Sequence, residues 1–312
     1  LTWDNDVNVE GAAQTLNFTL SKTPVLKRIA LVGFELPFAQ TTGVNFNFRP
    51  GDNNRSVRQS VVYGGQLQTE WQLAPWVKLS AYTAFYNWHN ADPIALSINT
   101  INPASPSRGT QKLGGFSLQN SVTVWTQTTS VPTSAGGTTN VNTSIVNAQF
   151  ASKFALLDSI ARLDIKTASP QWPVILLGDF VQNTKACANV RNFLTPTAAT
   201  GSTITSATAT PCNSRDRQAY WLEGRLGRTA EKGDWQFAYT RMFIEREAVM
   251  GAYDFSDMRQ ASNLSQHRLE LFYTAHRNIQ LGFTGLFGRP LHSSPPAESL
   301  LKRLQMDVIY RF

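Results

Sequence analysis

Long hydrophobic runs are missing from this sequence. No stretch approaches the roughly 18 apolar residues that a membrane-spanning helix requires, and the mean hydropathy is slightly negative at -0.23. This absence excludes a helical membrane protein. It does not exclude a membrane sheet, because the strands of such a sheet are apolar on one face only.

Charged residues are also scarce, at 16% of the chain, against roughly 25% in ordinary soluble domains. The formal net charge is nevertheless +7. Nucleic-acid-binding proteins concentrate their basic residues on one element, whereas here Lys and Arg are scattered and adjacent only at Lys27-Arg28 and Lys302-Arg303. Nucleic acid is therefore not an expected partner.

The sequence has two cysteines, Cys187 and Cys212, both in the polar segment 184–216. Two cysteines without a nearby histidine cannot complete a tetrahedral zinc site. We therefore predict a disulfide that closes a long loop, which implies an oxidising compartment. The acidic stretches GDNNRS (51–56) and DFSDMR (254–259) lack the ordered spacing of a calcium loop, so no metal and no cofactor is expected.

Period-two alternation of apolar and polar residues recurs throughout the chain, and helical periodicity is nearly absent. The final stretch RLQMDVIYRF places Met306, Val308, Tyr310 and Phe312 on one face of an extended segment. Similar segments, some of them noisier, begin near residues 3, 28, 61, 77, 155, 173, 218, 235, 267 and 279. In 235–246 the phase is ambiguous, and we expect either a bulge or an error in the assigned register there.

The connections between these segments alternate between short and long. The short ones are 21–27, 74–76, 167–172, 230–234 and 277–278; the long polar ones are 39–59, 89–149, 184–216, 247–265 and 289–300. Outer-membrane barrels have short periplasmic turns and long extracellular loops. The alternation therefore predicts an all-β antiparallel transmembrane β-barrel, in which the extended stretch 116–128 is an excursion within an outer loop.

Tryptophans agree with this interpretation, because barrels have aromatic girdles at both membrane interfaces. Six tryptophans fall near the predicted strand ends: Trp71, Trp76, Trp88, Trp172, Trp221 and Trp235. Aromatic residues also close the ends of soluble sandwiches, so this observation supports the barrel without deciding for it.

The direction of the strands follows from the C-terminus. If Phe312 lies at the periplasmic side, about eleven strands span the membrane and the first of them already descends. Single-chain barrels normally have an even number of strands. We therefore expect the single domain 1–312 to be part of a barrel of 12 to 16 strands with further N-terminal strands.

The C-terminal part resembles the putative-porin family of Gram-negative outer membranes. The resemblance rests on EKGDWQFAYTRMFIEREAVMGAYDFSDMRQ (231–260), which has the family's Lys-Gly-Asp-Trp turn and acidic loop, and on PVILLGDFVQN (173–183). It is good over 150–312 and weaker over 1–88. It implies a transmembrane barrel in the bacterial outer membrane that acts as a diffusion channel for small hydrophilic solutes. The terminal Tyr310 and Phe312 resemble the aromatic signal by which such proteins are recognised for barrel assembly.

In a channel of this kind, charged residues on the inward face bias which solutes pass. Twelve residues of the inward phase are the predicted pore-lining set: Glu70, Asp158, Arg162, Asp164, Asp179, Glu223, Arg225, Arg268, Glu270, Arg303, Asp307 and Arg311. Alternatively, these charges pair across strands and only hold the wall together. The net charge of +7 predicts a weak preference for anions.

Two other classes of function remain open. The first is a scaffold barrel whose loops, above all 89–149, dock neighbouring surface proteins or enter the lumen; a homotrimer is a further expectation, by analogy with other porins. The second is an outer-membrane enzyme, which needs a histidine near a nucleophile. The histidines are His89, His267, His276 and His292, and only Ser265 and Asp257 could approach His267. That spacing fits no hydrolase signature, so we expect no enzyme.

Overall fold

The structure is a computed structural model that describes residues 11–39, 60–101, 112–113, 116–117, 119–131, 140–190, 197–198, 200–208, 211–253, 258, 260–292 and 299–311. The stretch GDNNRS, most of DFSDMR, and the residues Asp257 and Phe312 lie outside this part.

The described residues form sixteen strands and one helix. In chain order they are β1 (Ala12–Thr19), β2 (Leu26–Ala39), β3 (Ser60–Ala74), β4 (Val77–His89), α1 (Asp92–Ile101), β5 (Lys112–Leu113), β6 (Phe116–Ser117), β7 (Val122–Val131), β8 (Asn140–Phe150), β9 (Ala155–Ile165), β10 (Val174–Asn183), β11 (Ser202–Thr208), β12 (Gln218–Gly227), β13 (Trp235–Ile244), β14 (Leu264–His276), β15 (Ile279–Pro290) and β16 (Leu301–Tyr310).

Eleven of these strands form one antiparallel sheet in the order β1-β2-β3-β4-β9-β10-β12-β13-β14-β15-β16. The predicted all-β antiparallel architecture with about eleven spanning strands is confirmed. Each strand pairs with its successor in the sheet, as in the wall of an up-and-down barrel. Within the part of the chain that the structure describes, β1 and β16 are the two edges and do not pair with each other.

The predicted alternation of connections is confirmed as well. The links β3–β4 and β14–β15 are tight turns, and the links β9–β10 and β12–β13 are also short, all at one end of the sheet. The strand ends that the long connections join lie at the opposite end. The predicted excursion at 116–128 is also confirmed, because β7 pairs with β8 and β11 in a separate three-stranded sheet.

The pairing register separates two faces of the large sheet, because directly opposed residues of antiparallel strands point to the same side. On β16, Leu304, Met306, Val308 and Tyr310 share what we call the apolar face. Of the two alternatives for 235–246, the bulge is wrong, because β13 pairs with both neighbours without a register shift.

The apolar face exposes large hydrophobic side chains on each of the eleven strands of the sheet. Members include Leu16, Leu67, Phe85, Leu157, Leu176, Leu222, Phe237, Leu269, Leu281 and Met306. Met306, for instance, is 83% exposed. A soluble monomer rarely exposes such a continuous apolar surface, and the face is chemically suited to lipid.

The tryptophans divide between the two faces. Trp76, Trp172 and Trp235 are exposed at the short-turn end, as an interfacial girdle requires. Trp88 and Trp221 do not belong to the predicted girdle, because their strand positions place them on the opposite, polar face. Trp88 is buried there, and the Trp221 indole donates to Glu223 at 3.0 Å.

The buried core lies between the polar face and the long connections. It joins strand residues such as Val62, Val181 and Met242 to loop residues such as Phe154 and Val249. We call the loop side of this core the cap: α1, β7, β8, and the segments 119–121, 151–154 and 245–253. No helix within the described residues is long and apolar enough to cross a membrane.

Candidate functional site: the polar face and the cap

Charged side chains on the polar face form pairs along single strands. Arg162 Nη2 lies 2.7 Å from Asp164 Oδ1 on β9, and Arg268 Nη2 lies 2.6 Å from Glu270 Oε1 on β14. On β12, Arg225 Nε is paired with Glu223 Oε1. Residues two apart on a strand point to the same face, so the alternating sequence itself places each base beside an acid.

A second cluster joins three strands near the short-turn end. Glu70 on β3 accepts Arg28 of β2 at 3.1 Å and Lys78 of β4 at 2.6 Å. Arg28 also donates to the side chain of Asn17 at 2.8 Å. The register explains this cluster, because Arg28 lies directly opposite Glu70.

The last strand continues the polar row. Arg303 donates to Gln305 at 2.9 Å, and Gln305 donates to Asp307 at 3.0 Å. Beyond the strand, Arg311 donates to Gln280 at 3.1 Å. Arg303, Gln305 and Asp307 thus form one hydrogen-bonded row along β16, and Arg311 forms a separate contact to β15.

The twelve predicted residues therefore lie on one surface. Eleven of them lie in strands, and the pairing register from strand to strand places all eleven on the polar face. Arg311 follows β16 and contacts Gln280, which is on the same face. Asp158 and Asp179 are buried, at 3% and 5% exposure, while Arg162 and Arg225 are exposed. That this surface lines a pore stays a prediction. The alternative that the charges hold the wall together is compatible with the pairs just described.

The cap is organised around a fully buried carboxylate, Glu247. Its Oε1 accepts the Ser121 N–H at 2.9 Å, and its Oε2 accepts the Ser152 hydroxyl at 2.6 Å. Its own N–H donates to the Asp216 carbonyl at 2.7 Å. Burial raises the pKa of Glu247, and the hydrogen bonds from Ser121 and Ser152 oppose that rise only in part. One side chain thus connects segments that are far apart in sequence.

Two asparagines complete this junction. Asn120 Nδ2 donates to the carbonyls of Arg246 at 2.7 Å and Val249 at 3.0 Å, and its Oδ1 accepts the Gly251 N–H at 3.0 Å. Asn183 Nδ2 donates to the Glu247 carbonyl at 2.8 Å. Buried backbone N–H and C=O groups of a loop need side-chain partners of this kind, because a loop lacks the backbone hydrogen bonds that strands form with each other.

The predicted disulfide is confirmed. Cys187 and Cys212 are bonded, with their Cα atoms 5.8 Å apart and a sequence separation of 25. The Cys187 N–H donates to the Ser152 hydroxyl at 2.9 Å, which is the same hydroxyl that contacts Glu247. The disulfide therefore attaches the 184–216 connection to the cap.

The 245–253 segment crosses the polar face. It leaves β13, the eighth strand in the sheet order, and its Tyr253 reaches the second and fourth strands. The Tyr253 hydroxyl donates to the Phe38 carbonyl at 2.9 Å, and its ring centroid lies 5.1 Å from that of Trp88. Burial raises the pKa of Tyr253 to about 12.

The first residue of helix α1, Asp92, holds the helix to the rest of the cap. Asp92 accepts the Phe150 N–H at 3.0 Å and contacts Gln149 at 3.4 Å. Burial raises the pKa of Asp92, and the bond from Phe150 opposes that rise. A helix of this length is marginal alone, so tertiary contacts of this kind fix it.

Sequence reasoning missed the cap residues Asn120, Ser121, Ser152, Glu247 and Tyr253. Their contacts join positions up to 215 residues apart, and no local pattern specifies such pairs. One signal was present: near the long-loop end the strands lose their alternation, because both faces are apolar there.

The residues considered for catalysis have other partners. Ser265 Oγ accepts Arg241 Nη2 at 2.9 Å, and His267 Nδ1 bonds the Tyr239 hydroxyl at 2.8 Å. Both Ser265 and His267 lie on the apolar face, in register with Arg241 and its neighbours. Of the two terminal aromatics, Tyr310 is exposed on the apolar face, and an assembly role for it stays a prediction.

Among the comparisons with known proteins, a family model agrees with this architecture. A family model described as "Putative porin" matches residues 1–312. No curated protein matches the chain by sequence. Among solved structures, LpxR from Salmonella typhimurium is similar at 8% identity, with 96% of this chain and 88% of that chain covered and a TM-score of 0.30.

Proposed function

Because the chain belongs to the family of putative porins, whose model matches all of residues 1–312, we propose that it forms a porin-like channel in the bacterial outer membrane. Small hydrophilic solutes diffuse through it passively, and no step is catalytic. The surrounding lipid and the solutes are its partners in this proposal, and a homotrimer or a neighbouring surface protein stays an expectation.

The observation that supports the proposal best is the opposition of two unlike faces on one eleven-stranded sheet. One face exposes aliphatic and aromatic side chains along its length. The other carries the charged pairs Arg162–Asp164, Glu223–Arg225 and Arg268–Glu270. A barrel wall between lipid and water has this division.

The cap gives the channel its constriction in this proposal. It covers the long-loop end of the polar face, where Val62, Val181 and Met242 are fully buried. Towards the short-turn end the same face is charged and more exposed. Solutes would therefore pass beside a narrow, folded entrance and then along a wider polar wall.

The same cap supports a second candidate, a scaffold barrel without a continuous water path. A fully packed cap would block diffusion and would leave the outer loops as a docking surface. Conductance separates the two candidates, because a scaffold of this kind carries no steady ion current.

The weak anion preference is a finer part of the proposal. It was inferred from the whole chain's net charge of +7. On the polar face the salt bridges within β9, β12 and β14 each join one base to one acid, so we expect the preference to be small. Selectivity would then depend on which partner of each pair reaches furthest into the water.

Planar-bilayer recording of the purified full chain tests the proposal. We expect stepwise, ohmic currents and, in a salt gradient, a small reversal potential of the sign that anions give. Arg225→Gln should shift that potential towards cations, because it leaves the Glu223 carboxylate unpaired. Arg289→Gln, which removes an equal charge from the apolar face, is the matched control and should not shift it.

Two results would count against the proposal. Absence of current from correctly inserted protein would favour the scaffold. Equal shifts of the reversal potential in Arg225→Gln and Arg289→Gln would mean that the polar face does not line the ion path.

A further inference from the structure

The apolar face carries a group of basic side chains near the long-loop end of β13 to β16. Arg241 lies opposite His267, His267 opposite Phe287, and Phe287 opposite Lys302. Arg289 lies one row nearer the loops, opposite Ser265. Opposed residues share a face, so these side chains form a single group, which we call the basic row: Arg241, His267, Arg289 and Lys302.

The basic row borders the apolar surface directly. The next row towards the short turns contains Tyr239, Leu269 and Leu304, which are all exposed. In a membrane barrel the height at which apolar side chains give way to cations is the height of the lipid headgroups. The row is on the long-loop side, so the headgroups in question belong to the outer leaflet.

No carboxylate neutralises the row among the described residues. Arg241 Nη1 donates to the carbonyls of Met242 at 2.9 Å and Gln266 at 3.2 Å, and its Nη2 donates to Ser265. These neutral acceptors fix the guanidinium in place and leave its charge uncompensated. Arg289 and Lys302 are exposed, and no salt bridge joins either of them to a described acid.

An open groove of about 500 Å³ adjoins the row on the same face. Arg241 and Tyr239 form one side, Leu176 and Leu222 contribute apolar walls, and Gly178 and Gly224 contribute no side chain. Strand packing does not require these glycines. A Cβ at Gly178 would lie 3.6 Å from Leu222, and one at Gly224 would lie 3.7 Å from Leu176, both ordinary contacts.

We propose that the basic row and this groove together bind one phosphorylated lipid of the outer leaflet, with its phosphates on the basic row and an acyl chain in the groove. Arg241 and Lys302 are three strand spacings apart, or about 14 Å. One phosphate cannot contact both, so the headgroup that fits carries more than one phosphate. The inference rests on the proposed membrane location, but not on the presence of a pore.

Lipid titration of the full chain in detergent, followed by native mass spectrometry, tests this site. The probes are a bisphosphorylated lipid A, its monophosphoryl form and phosphatidylethanolamine. We expect one bisphosphorylated lipid per chain, held about tenfold more tightly than the monophosphoryl form, with affinity that falls as salt rises.

Two variants separate the headgroup contacts from the groove. Arg241→Gln/Arg289→Gln/Lys302→Gln should lose the preference for the second phosphate. Gly224→Leu fills the groove and should weaken all three lipids about equally. The matched control is Lys22→Gln/Lys232→Gln/Arg277→Gln, which removes the same charge at the short-turn end and should leave binding within about twofold of the original.

Several outcomes would overturn the inference. They are an equal loss in the control variant, no preference among the three lipids, or full competition by inorganic pyrophosphate, which would indicate a free anion as the ligand. A change of oligomeric state without a change in lipid binding would assign the face to a second copy of this chain. Conductance and lipid binding of the unmodified protein keep the two proposals apart. Normal currents without binding of the bisphosphorylated lipid would refute only this one, and lipid binding without current would refute only the channel.

Discussion

Replacing Glu247 should loosen the cap, and the structure gives the size of the effect. In Glu247→Ala, the Ser121 N–H and the Ser152 hydroxyl lose their acceptor, and both residues are almost fully buried at 1% and 2% exposure. A buried donor left without a partner costs about 1–3 kcal/mol. Removal of a buried charge returns part of that cost, so we expect a net loss of about 2–4 kcal/mol in the free energy of cap opening.

Glu247→Gln isolates the contribution of the charge. Its amide oxygen can still accept the Ser121 N–H, so we expect a loss of only about 1 kcal/mol. Burial raises the pKa of Glu247 in the folded cap. A carboxyl with a raised pKa binds its proton more tightly when folded, so the cap is most stable below the unfolded pKa of about 4.3 and loses stability as pH rises through the folded pKa. The glutamine variant should lack this dependence.

Hydrogen exchange of the 119–121 and 245–253 amides, recorded across pH in detergent, measures cap opening directly. Glu231→Gln is the matched control, because the Glu231 side chain is 74% exposed at the short-turn end. Exchange in Glu247→Ala that equals the original rate would refute the role assigned to this carboxylate. So would a Glu247→Gln variant whose pH dependence matches that of the unmodified protein.

Two further perturbations test the cap and the sheet separately. Cys187→Ser/Cys212→Ser should lower the stability of the 184–216 connection by about 3 kcal/mol in the chain-entropy account, seen as faster proteolysis there; equal proteolysis of oxidised and variant protein would contradict it. Gly64→Ala should destabilise the β3–β4 pair by about 1–3 kcal/mol, because its Cβ would lie 1.8 Å from the Phe85 carbonyl oxygen. Gly33→Ala, where the space within 4 Å is empty, is the control, and thermal unfolding in which both variants behave alike would refute the packing argument.

The sheet could be predicted from the sequence because its specification is local. On β16 the alternation of Leu304, Gln305, Met306 and Asp307 already gives the faces, and the position of the turns gives the direction. Every strand repeats the same rule, so an error in one segment does not spread to the next. The predicted separation of charged and apolar faces follows from this periodicity alone.

The cap could not be predicted in the same way, because its contacts are long-range and polar. The ambiguous phase of 235–246 shows the reason. On β13 Met242 and Ile244 pack under the cap, while Tyr239 and Phe243 lie on the apolar face. Both faces are therefore apolar at that height, and alternation disappears without any bulge. Loss of alternation at the long-loop ends of neighbouring strands is thus a sequence signal for a folded cap.

The distribution of charge between the two faces bears on selectivity more than the net charge does. The polar face, with Arg311, carries seven basic residues and seven acidic ones among the described residues: Arg28, Lys78, Arg162, Arg225, Arg268, Arg303 and Arg311 against Glu70, Asp158, Asp164, Asp179, Glu223, Glu270 and Asp307. The net charge of +7 therefore resides elsewhere, and the basic row accounts for part of it. A charge on the apolar face is separated from the proposed ion path by the sheet and acts on lipid rather than on solute. If this division holds, neutralising the basic row will change lipid affinity without changing the reversal potential, and neutralising Arg225 will do the reverse.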